Sequence, residues 1–266
     1  MSVHSLEGSP VARGPLAGVG VIVTRPARQA AGLARQLAEL GATPIVIPAI
    51  VILPPANRAA LDSVHATLAQ YDIAIFVSAN AVEYGVPAPK DWPARLLALA
   101  PGPGTAAALA ATGITEARIP ASTYDSEGLL ALPELRDVAG RRIVIFRGEG
   151  GRGDLGQTLL ARGARVTYAE CYRRAAPATG AVGLSEVLRE GRAQALTLTS
   201  SEGLDNLCAL LDGNDLRRLE LLPAFVPHPR IAEHARRLGF VPVETGGADA
   251  GLIAGLLEWF RQHPLA

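Results

Sequence analysis

The chain is poor in the residues that most often carry catalysis or cross-link a fold. Its 266 residues include two cysteines, one methionine and two tryptophans, and aromatic residues make up 5% of the whole. Cys171 and Cys208 have neither the spacing of metal ligands nor the partners of a disulfide framework, which favours a reducing, cytoplasmic location. The five histidines are scattered, and no Ser-His-Asp or Cys-His arrangement follows from their spacing. Neither a metal nor a cofactor is expected.

The chain also lacks an excess of charge of either sign. Its 25 basic and 25 acidic residues balance, which argues against nucleic acid or an anionic membrane surface as the main partner. No apolar run reaches the roughly 18 residues that would span a bilayer. The first fifteen residues lack an apolar signal core, and we expect them to form a disordered tail.

Two common phosphate-binding motifs are missing as well. There is no Walker loop, and residues 148–156 do not meet the dinucleotide pattern GxGxxG with an acidic residue beyond it.

A chain of this length exceeds what one core usually organises, so two domains of ordinary size are expected.

What the chain does contain is a strand, a glycine-rich turn, a helix and a second extended run over residues 141–174. The pattern predicts a strand over residues 143–146, a turn over residues 147–153 and a helix that ends at Gly163. Such a turn lies at the carboxyl end of a strand and exposes the first N–H groups of a helix, which suits an anionic ligand. Arg147 and Arg152 add charge there. The alternative is an ordinary glycine-rich turn with solvated arginines.

This pattern occurs twice, which indicates an internal duplication. An offset of 122 residues places Arg25 on Arg147 and Gly41 on Gly163, and it also places Ser78 on Ser200. Offsets close to this one align the later turns, with Gly128 falling on Gly251. Because the units match in the same order, the chain is predicted to be two copies of one α/β unit.

Polar side chains recur at the predicted strand-to-helix turns of both copies. Thr24 is a plausible helix cap before Pro26, and Ser78 or Asn80 suits the cap of the next helix. A short strand is predicted near Ile119. The remaining turns contain Thr105, Ser126, Thr199, Ser200, Ser201, His228 and Arg230. For His228, a role in binding and simple solvation both remain open.

Together these stretches resemble the uroporphyrinogen-III synthase family. The resemblance runs from about residue 18 to the C-terminus and rests on VTRP, IFVSANAV, GPGTAAAL, FRGEGGRGDLGQTL, CYRR and LTSSEGLDNL in this order. It implies an α/β fold of two similar doubly wound parallel-sheet, flavodoxin-like domains joined by a two-stranded β linker. The first domain would comprise residues 1–46 and 175–266, the second residues 54–167, and the linker strands residues 47–53 and 168–174. The first strand and helix of each copy would thus belong to the same domain as the later part of the other copy.

The resemblance also implies a reaction. Members of the family cyclise hydroxymethylbilane, a linear tetrapyrrole, with loss of water and inversion of ring D, to give uroporphyrinogen III for haem biosynthesis. This chemistry needs no cofactor, because a pyrrole nitrogen supplies the electrons that expel the hydroxyl group. A cytoplasmic monomer is expected, with no nucleic acid or membrane partner. A transient contact with the enzyme that supplies the bilane is left open.

Residue by residue, Tyr172 matches a linker tyrosine that the family suggests as proton donor to the departing hydroxyl group. Its alternative role is packing. The polar turns could cap helices as well as bind substrate, and the two aligned arginines could bind carboxylates or hold the turns in place. The chain departs from the family at residues 227–230, where small residues are common. The substrate-binding residues expected are Arg25, Ser78, Asn80, Thr105, Ser126, Arg147, Gly148, Thr199, Ser200, Ser201, His228 and Arg230.

Another class of function fits the same pattern less well. A two-lobed α/β protein that binds a small anion or a nucleotide would also place glycines and arginines at such turns. The missing Walker lysine and ribose-binding acid disfavour a nucleotide, and the lack of a secretion signal disfavours a periplasmic receptor.

Overall fold

A computed structural model describes residues 14–88, 91–151, 153–177 and 180–265. Most of the expected N-terminal tail, together with Arg152, lies outside these residues. Gly14 already belongs to a turn, because its carbonyl accepts a hydrogen bond from the Ala17 N–H at 3.1 Å. The last two residues of the expected tail, 14 and 15, are therefore part of a turn.

Strands and helices alternate along the chain. The strands are β1 (Gly20–Val23), β2 (Thr43–Val46), β3 (Val51–Leu53), β4 (Ile73–Phe76), β5 (Leu97–Leu99), β6 (Arg142–Gly148), β7 (Arg165–Ala175), β8 (Ala195–Thr197), β9 (Pro223–Val226) and β10 (Val241–Glu244). The helices are α1 (Ala27–Glu39), α2 (Ala59–Ala66), α3 (Ala79–Gly85), α4 (Pro103–Ala111), α5 (Ser126–Ala131), α6 (Asp154–Ala161), α7 (Gly180–Arg189), α8 (Ser201–Leu210), α9 (Gly213–Glu220), α10 (Pro229–Arg237) and α11 (Asp249–Gln262).

The chain forms two compact units. Unit 1 comprises residues 1–51 and 175–266, and unit 2 comprises residues 52–174. The chain passes between the units within β3 and at the last residue of β7. Unit 1 is thus discontinuous, whereas unit 2 is a single stretch of chain.

Unit 1 contains a five-stranded sheet in the order β10-β9-β8-β1-β2, and its paired strands are parallel. Numbered within the unit this is the order 2-1-3-4-5, which is the flavodoxin-like order. The predicted α/β class with a parallel sheet is confirmed. Strand β1 from the first copy pairs with β8 from the second.

Unit 2 contains a sheet in the order β3-β7-β6-β4-β5, with parallel pairing from β7 through β5. Here β6 from the second copy pairs with β4 from the first. The predicted strand near Ile119 is reduced to a single parallel bridge between Arg118 and Leu99. Hydrophobic clusters cover both faces of each sheet, as expected for parallel strands buried between helices.

The aligned helices α1 and α6 show why the duplication is visible in sequence. Leu33 and Leu37 of α1 are fully buried, and their counterparts Leu155 and Leu159 of α6 are 5% and 0% exposed. Gly41 has φ 88° and Gly163 has φ 83°, a backbone conformation that a side chain would strain. Apolar spacing and a glycine stop therefore recur because the two copies pack alike.

Two local predictions were wrong. Thr24 does not cap α1, because its hydroxyl donates to the Thr197 carbonyl oxygen at 2.8 Å and Pro26 occupies the cap position. Arg147 and Gly148 do not belong to a turn, since β6 continues through both by pairing with β7. Within the described residues, no helix combines the length and the apolar character needed to cross a bilayer.

Candidate functional site

The candidate site lies at the carboxyl edge of the sheet of unit 2. The chain moves along this sheet one way from β4 to β5 and the other way from β6 to β7, so the order reverses between β4 and β6. Open α/β sheets bind ligands outside the strand ends at such a switch point. A cavity of about 440 Å³ lies there. Its lining comprises Val77, Pro101, Tyr124, Asp125, Ser126, Leu129, Ile145, Arg147, Gly148, Gly150, Gly151, Leu155, Gly156, Tyr168, Tyr172 and Arg174.

An irregularity in β7 places Tyr172 in this cavity. Arg147 pairs with Glu170, but the next residue of β6, Gly148, pairs with Tyr172, so the register skips Cys171. A bulge of this kind re-aims the side chain that follows it. The Cys171 thiol donates to the Arg147 carbonyl oxygen at 3.3 Å. Cys171, the residue that the register skips, is fully buried.

Gly148 makes room for the Tyr172 ring. A Cβ atom at position 148 would lie 2.8 Å from both Cε2 and Cζ of that ring. Real Cβ atoms do not approach so closely, so any larger residue would displace the ring. The phenol hydroxyl of Tyr172 lies 3.3 Å from Ser78 Oγ, and the whole side chain is 2% exposed. The ring is therefore held in one position.

Ser78 combines two roles that the sequence left as alternatives. It is the N-cap of α3, where its Oγ accepts a hydrogen bond from the Ala81 N–H at 3.2 Å. The same oxygen contacts the Tyr172 hydroxyl. Asn80 lies inside α3 and is not the cap.

Arg147 is engaged with its neighbours in β7. Its Nη2 donates to Glu170 Oε1 at 3.1 Å, and its guanidinium lies 4.3 Å from the centroid of the Tyr168 ring. The arginine side chain is 13% exposed. This ion pair and cation–π contact hold the side chain against the cavity wall.

Another part of the lining comes from α5 and the residues just before it. Asp125 is the N-cap of that helix, and its Oδ1 accepts from the N–H groups of Glu127 and Gly128, both at 2.9 Å. Ser126 follows as the first helical residue and lines the cavity. Tyr124 is 56% exposed at the rim. An exposed aromatic ring beside a cavity offers a surface on which a flat ligand could stack.

The cavity thus brings together four of the predicted residues, Tyr172, Ser126, Arg147 and Gly148, while Ser78 reaches it through Tyr172. Thr105 is buried in the first turn of α4 and is not part of the lining. Sequence reasoning missed the cavity residues Tyr124, Asp125, Tyr168 and Arg174. A helix-cap signal could have found Asp125, whereas side-chain alternation could not link Tyr168 to Tyr172, because the register skip at Cys171 lies between them.

The other predicted residues lie in unit 1. Arg25 forms an ion pair with Asp249, which is the first residue of α11. Ser200 is the N-cap of α8 and accepts from the Gly203 N–H at 3.3 Å, with Thr199 before it and Ser201 inside the helix. His228 is the N-cap of α10, and its Nδ1 accepts from the Arg230 N–H at 3.1 Å.

The chemistry of the cavity is that of binding and positioning. Within the described residues, no group of three or more His, Cys, Asp or Glu side chains could hold a metal ion. Burial raises the pKa of the Cys171 thiol to about 12, so it stays protonated and is a poor nucleophile at neutral pH. The other functional groups of the described lining are hydroxyls, arginines, backbone groups and the Asp125 carboxylate, which caps α5.

Fold and site together define a class, namely an α/β protein built from two copies of a parallel-sheet unit, with a cavity lined in part by polar groups at a topological switch point. Residues 31–246 match the family model described as uroporphyrinogen-III synthase HemD. The chain belongs to the uroporphyrinogen-III synthase family.

Individual relatives agree with this assignment. The chain is 34% identical to uroporphyrinogen-III synthase of Salmonella typhimurium over 237 residues, which cover 85% of this chain and 94% of the relative. It is 33% identical to the Synechococcus elongatus protein of the same name over 264 residues, covering 95% and 99% of the two chains.

Solved structures share the fold. A uroporphyrinogen-III synthetase from Helicobacter pylori has a TM-score of 0.58 at 14% identity, covering 91% of this chain and 99% of that chain. A mutant uroporphyrinogen III synthase from Thermus thermophilus has a TM-score of 0.57 at 20% identity, covering 92% and 99%. At these identities the likeness concerns the fold alone.

Proposed function

We propose that this chain is a cyclising hydro-lyase that converts hydroxymethylbilane into uroporphyrinogen III, with loss of water and inversion of ring D. The observation that carries the proposal is the match to family members over nearly the whole chain. The cavity of unit 2 supports it, because its lining offers hydroxyls and arginines but no strong base. Such a lining suits a reaction in which positioning the chain of pyrroles matters more than covalent help.

Tyr172 is the proposed proton donor. As the carbon–oxygen bond at ring A breaks, the phenol gives its proton to the departing hydroxyl group, and water leaves. The pyrrole nitrogen supplies the electron pair and an azafulvene cation forms. Ring D then attacks through its substituted carbon, the spiro intermediate fragments, and the ring recloses in the turned orientation. The proton released at this last closure can return to the phenolate.

Ser78 holds the phenol in place through the 3.3 Å contact between their oxygens. Gly148 provides the space for the ring, and Ser126 and Arg147 face the same cavity as candidates for substrate contact. Asn80, Thr105 and the unit 1 residues Arg25, Thr199, Ser200, Ser201, His228 and Arg230 stay predictions.

We also propose the setting in which the enzyme works. Residues 1–46 with 175–266 and residues 54–167 would be its two domains, with residues 47–53 and 168–174 as linker strands. Two free cysteines, one of them fully buried, suit a reducing cytoplasm. A monomer without nucleic-acid or membrane partners is proposed, and a transient contact with the enzyme that supplies the bilane would be compatible with it.

The test is an isomer assay. Purified protein is given hydroxymethylbilane, the products are oxidised, and the type I and type III isomers are separated. Type III in excess over the enzyme-free control is expected. Formation of type I alone would refute the proposed function and would favour a binding protein.

The proposed role of Tyr172 has its own test. Tyr172→Phe removes the hydroxyl and keeps the ring, so the fold should persist while kcat for type III falls about tenfold or more. A loss smaller than is usual for general acid catalysis is expected because phenol is a weak acid. Circular dichroism and a Tm within a few degrees of wild type serve as the control. An unchanged kcat would exclude the phenol as proton donor.

A further inference from the structure

Two arginines among the described residues line the cavity of unit 2, and they differ in the contacts that their guanidinium groups already make. Arg147 is paired with Glu170, stacked over Tyr168 and mostly buried. A new anion would have to compete with the Glu170 carboxylate for this guanidinium. Arg147 is therefore poorly suited to be the first binding partner of a carboxylate that arrives from solution.

Arg174 is in the opposite situation. It is exposed, and within the described residues it has no hydrogen bond or ion pair. Its guanidinium carbon lies 5.8 Å from the centroid of the Tyr172 ring. A guanidinium with open donors can bind a carboxylate through two parallel hydrogen bonds.

Asp125, the acidic residue in the described lining, does not neutralise Arg174. Asp125 Oδ1 accepts two backbone hydrogen bonds at the start of α5, so its charge is directed toward the positive end of that helix. Within the described lining, no carboxylate pairs with Arg174. Among the described residues of the lining, Arg174 is therefore an exposed, unneutralised guanidinium beside the phenol.

We propose that Arg174 binds a carboxylate of the substrate and so fixes the bilane against Tyr172. The inference rests on the proposed function and deepens it, because it assigns the main carboxylate anchor in this cavity to Arg174 rather than to Arg147. It also places a substrate carboxylate within a few ångströms of the phenol ring. The position was not among the residues expected from the sequence.

The chain provides a matched control at the preceding residue. Arg173 carries the same charge on the same strand but does not line the cavity, since successive side chains of a strand point to opposite faces. Arg174→Gln and Arg173→Gln therefore remove the same charge one residue apart. A difference between them reports the position of the charge and not the net charge of the protein.

The experiment measures KM and kcat for hydroxymethylbilane by the type III assay. Arg174→Gln is expected to raise KM about tenfold with little change in kcat, as for loss of one charge-assisted contact made equally in ground and transition states. Arg173→Gln should stay within about twofold of wild type. A KM for Arg174→Gln within twofold of that for Arg173→Gln would overturn the inference.

Arg174→Lys supplies a second measurement should Arg174→Gln lower the Tm. Lysine keeps the charge and the long stem but not the planar fork, so KM should rise about threefold without loss of folded protein. A wild-type KM for this variant would contradict a two-bond contact. Failure of the proposed function is recognised separately, because the wild-type protein would then form no excess of type III.

Discussion

The two copies of the duplicated unit use the same turn in different ways. In unit 1 the arginine after β1, Arg25, is neutralised by Asp249 at the start of α11. In unit 2 the aligned arginine, Arg147, pairs instead with Glu170 in the neighbouring strand, and the residue aligned with Asp249 is Ser126. The ion pair spans the turn in unit 1, whereas the corresponding space in unit 2 belongs to the cavity.

The surrounding backbone is alike, which isolates the effect of the side chains. Gly128 and Gly251 occupy aligned positions in α5 and α11, and a Cβ on either would collide with a carbonyl oxygen of the preceding turn, at 1.7 and 1.6 Å. Both helices begin in the same place relative to this turn. A few side-chain differences at aligned positions therefore replace the ion pair of unit 1 by cavity-lining residues in unit 2.

Among the substitutions that distinguish the two units, Gly148→Ala is expected to lower kcat the most. Position 148 aligns with Pro26 in unit 1, so only unit 2 needs a glycine there. The added Cβ would push the Tyr172 ring away, and a displacement near 1 Å can lower kcat about 100-fold.

Gly104→Ala is the control for this substitution. An added Cβ at Gly104 meets no atom within 4 Å, so stability and kcat should change little. Equal kcat values for the two alanine variants would show that the Tyr172 position does not limit turnover.

A smaller effect is expected from the pair Ser78→Ala and Ser200→Ala. Each removes a helix cap of nearly the same geometry, and each should cost about 1 kcal/mol of unfolding free energy. Ser78 contacts the Tyr172 hydroxyl, whereas the residue aligned with Tyr172 in unit 1 is Ile50, which has no hydroxyl group. Thermal unfolding and type III kinetics measured on both variants separate capping from positioning.

We expect kcat of Ser78→Ala to fall about fivefold below that of Ser200→Ala, the loss of one neutral hydrogen bond. Similar kcat values for the two variants, with similar losses of Tm, would reduce Ser78 to a capping residue.

Lowering the pH should destabilise unit 1 before unit 2. Asp215 in unit 1 is fully buried, which raises its pKa, but hydrogen bonds from Ser185, Arg189 and Arg218 outweigh burial and hold the pKa below its ordinary value. A lowered folded-state pKa contributes stability above the unfolded value, near pH 4, and this is lost as pH falls through the folded pKa.

Hydrogen exchange at falling pH should therefore show α7 and α9 losing protection before the β4–β6 core of unit 2. Asp215→Asn should lower the Tm by several degrees at pH 7, and its Tm should depend less on pH below pH 4. A wild-type acid profile in this variant would show that Asp215 is not the group responsible.

Much of the fold was predictable because it depends on local pattern. The apolar spacing of Leu33 and Leu37 and the glycine stop at Gly41 recur 122 residues later, and the offset identified the aligned arginines. The partners of those arginines were not predictable, since Asp249 and Glu170 meet them through tertiary packing.

The site was predictable only in part for the same reason. Tyr172 was identified through the family resemblance, but its orientation depends on a register skip at Cys171. The periodicity of the sequence does not predict this skip. Arg174 lies next to another arginine in sequence, and only the direction of each side chain from β7 distinguishes them.

We propose that Ser126 leaves the cavity of unit 2 open to an anionic substrate, whereas the aligned residue Asp249 neutralises Arg25 in unit 1. Exchanging the two residues tests it directly, by measuring KM for type III formation in Ser126→Asp and Asp249→Ser. We predict a KM about tenfold higher for Ser126→Asp, because a carboxylate then faces the substrate's own, and a KM within about twofold of wild type for Asp249→Ser. Equal effects of the two substitutions, or a larger effect of Asp249→Ser, would contradict the account.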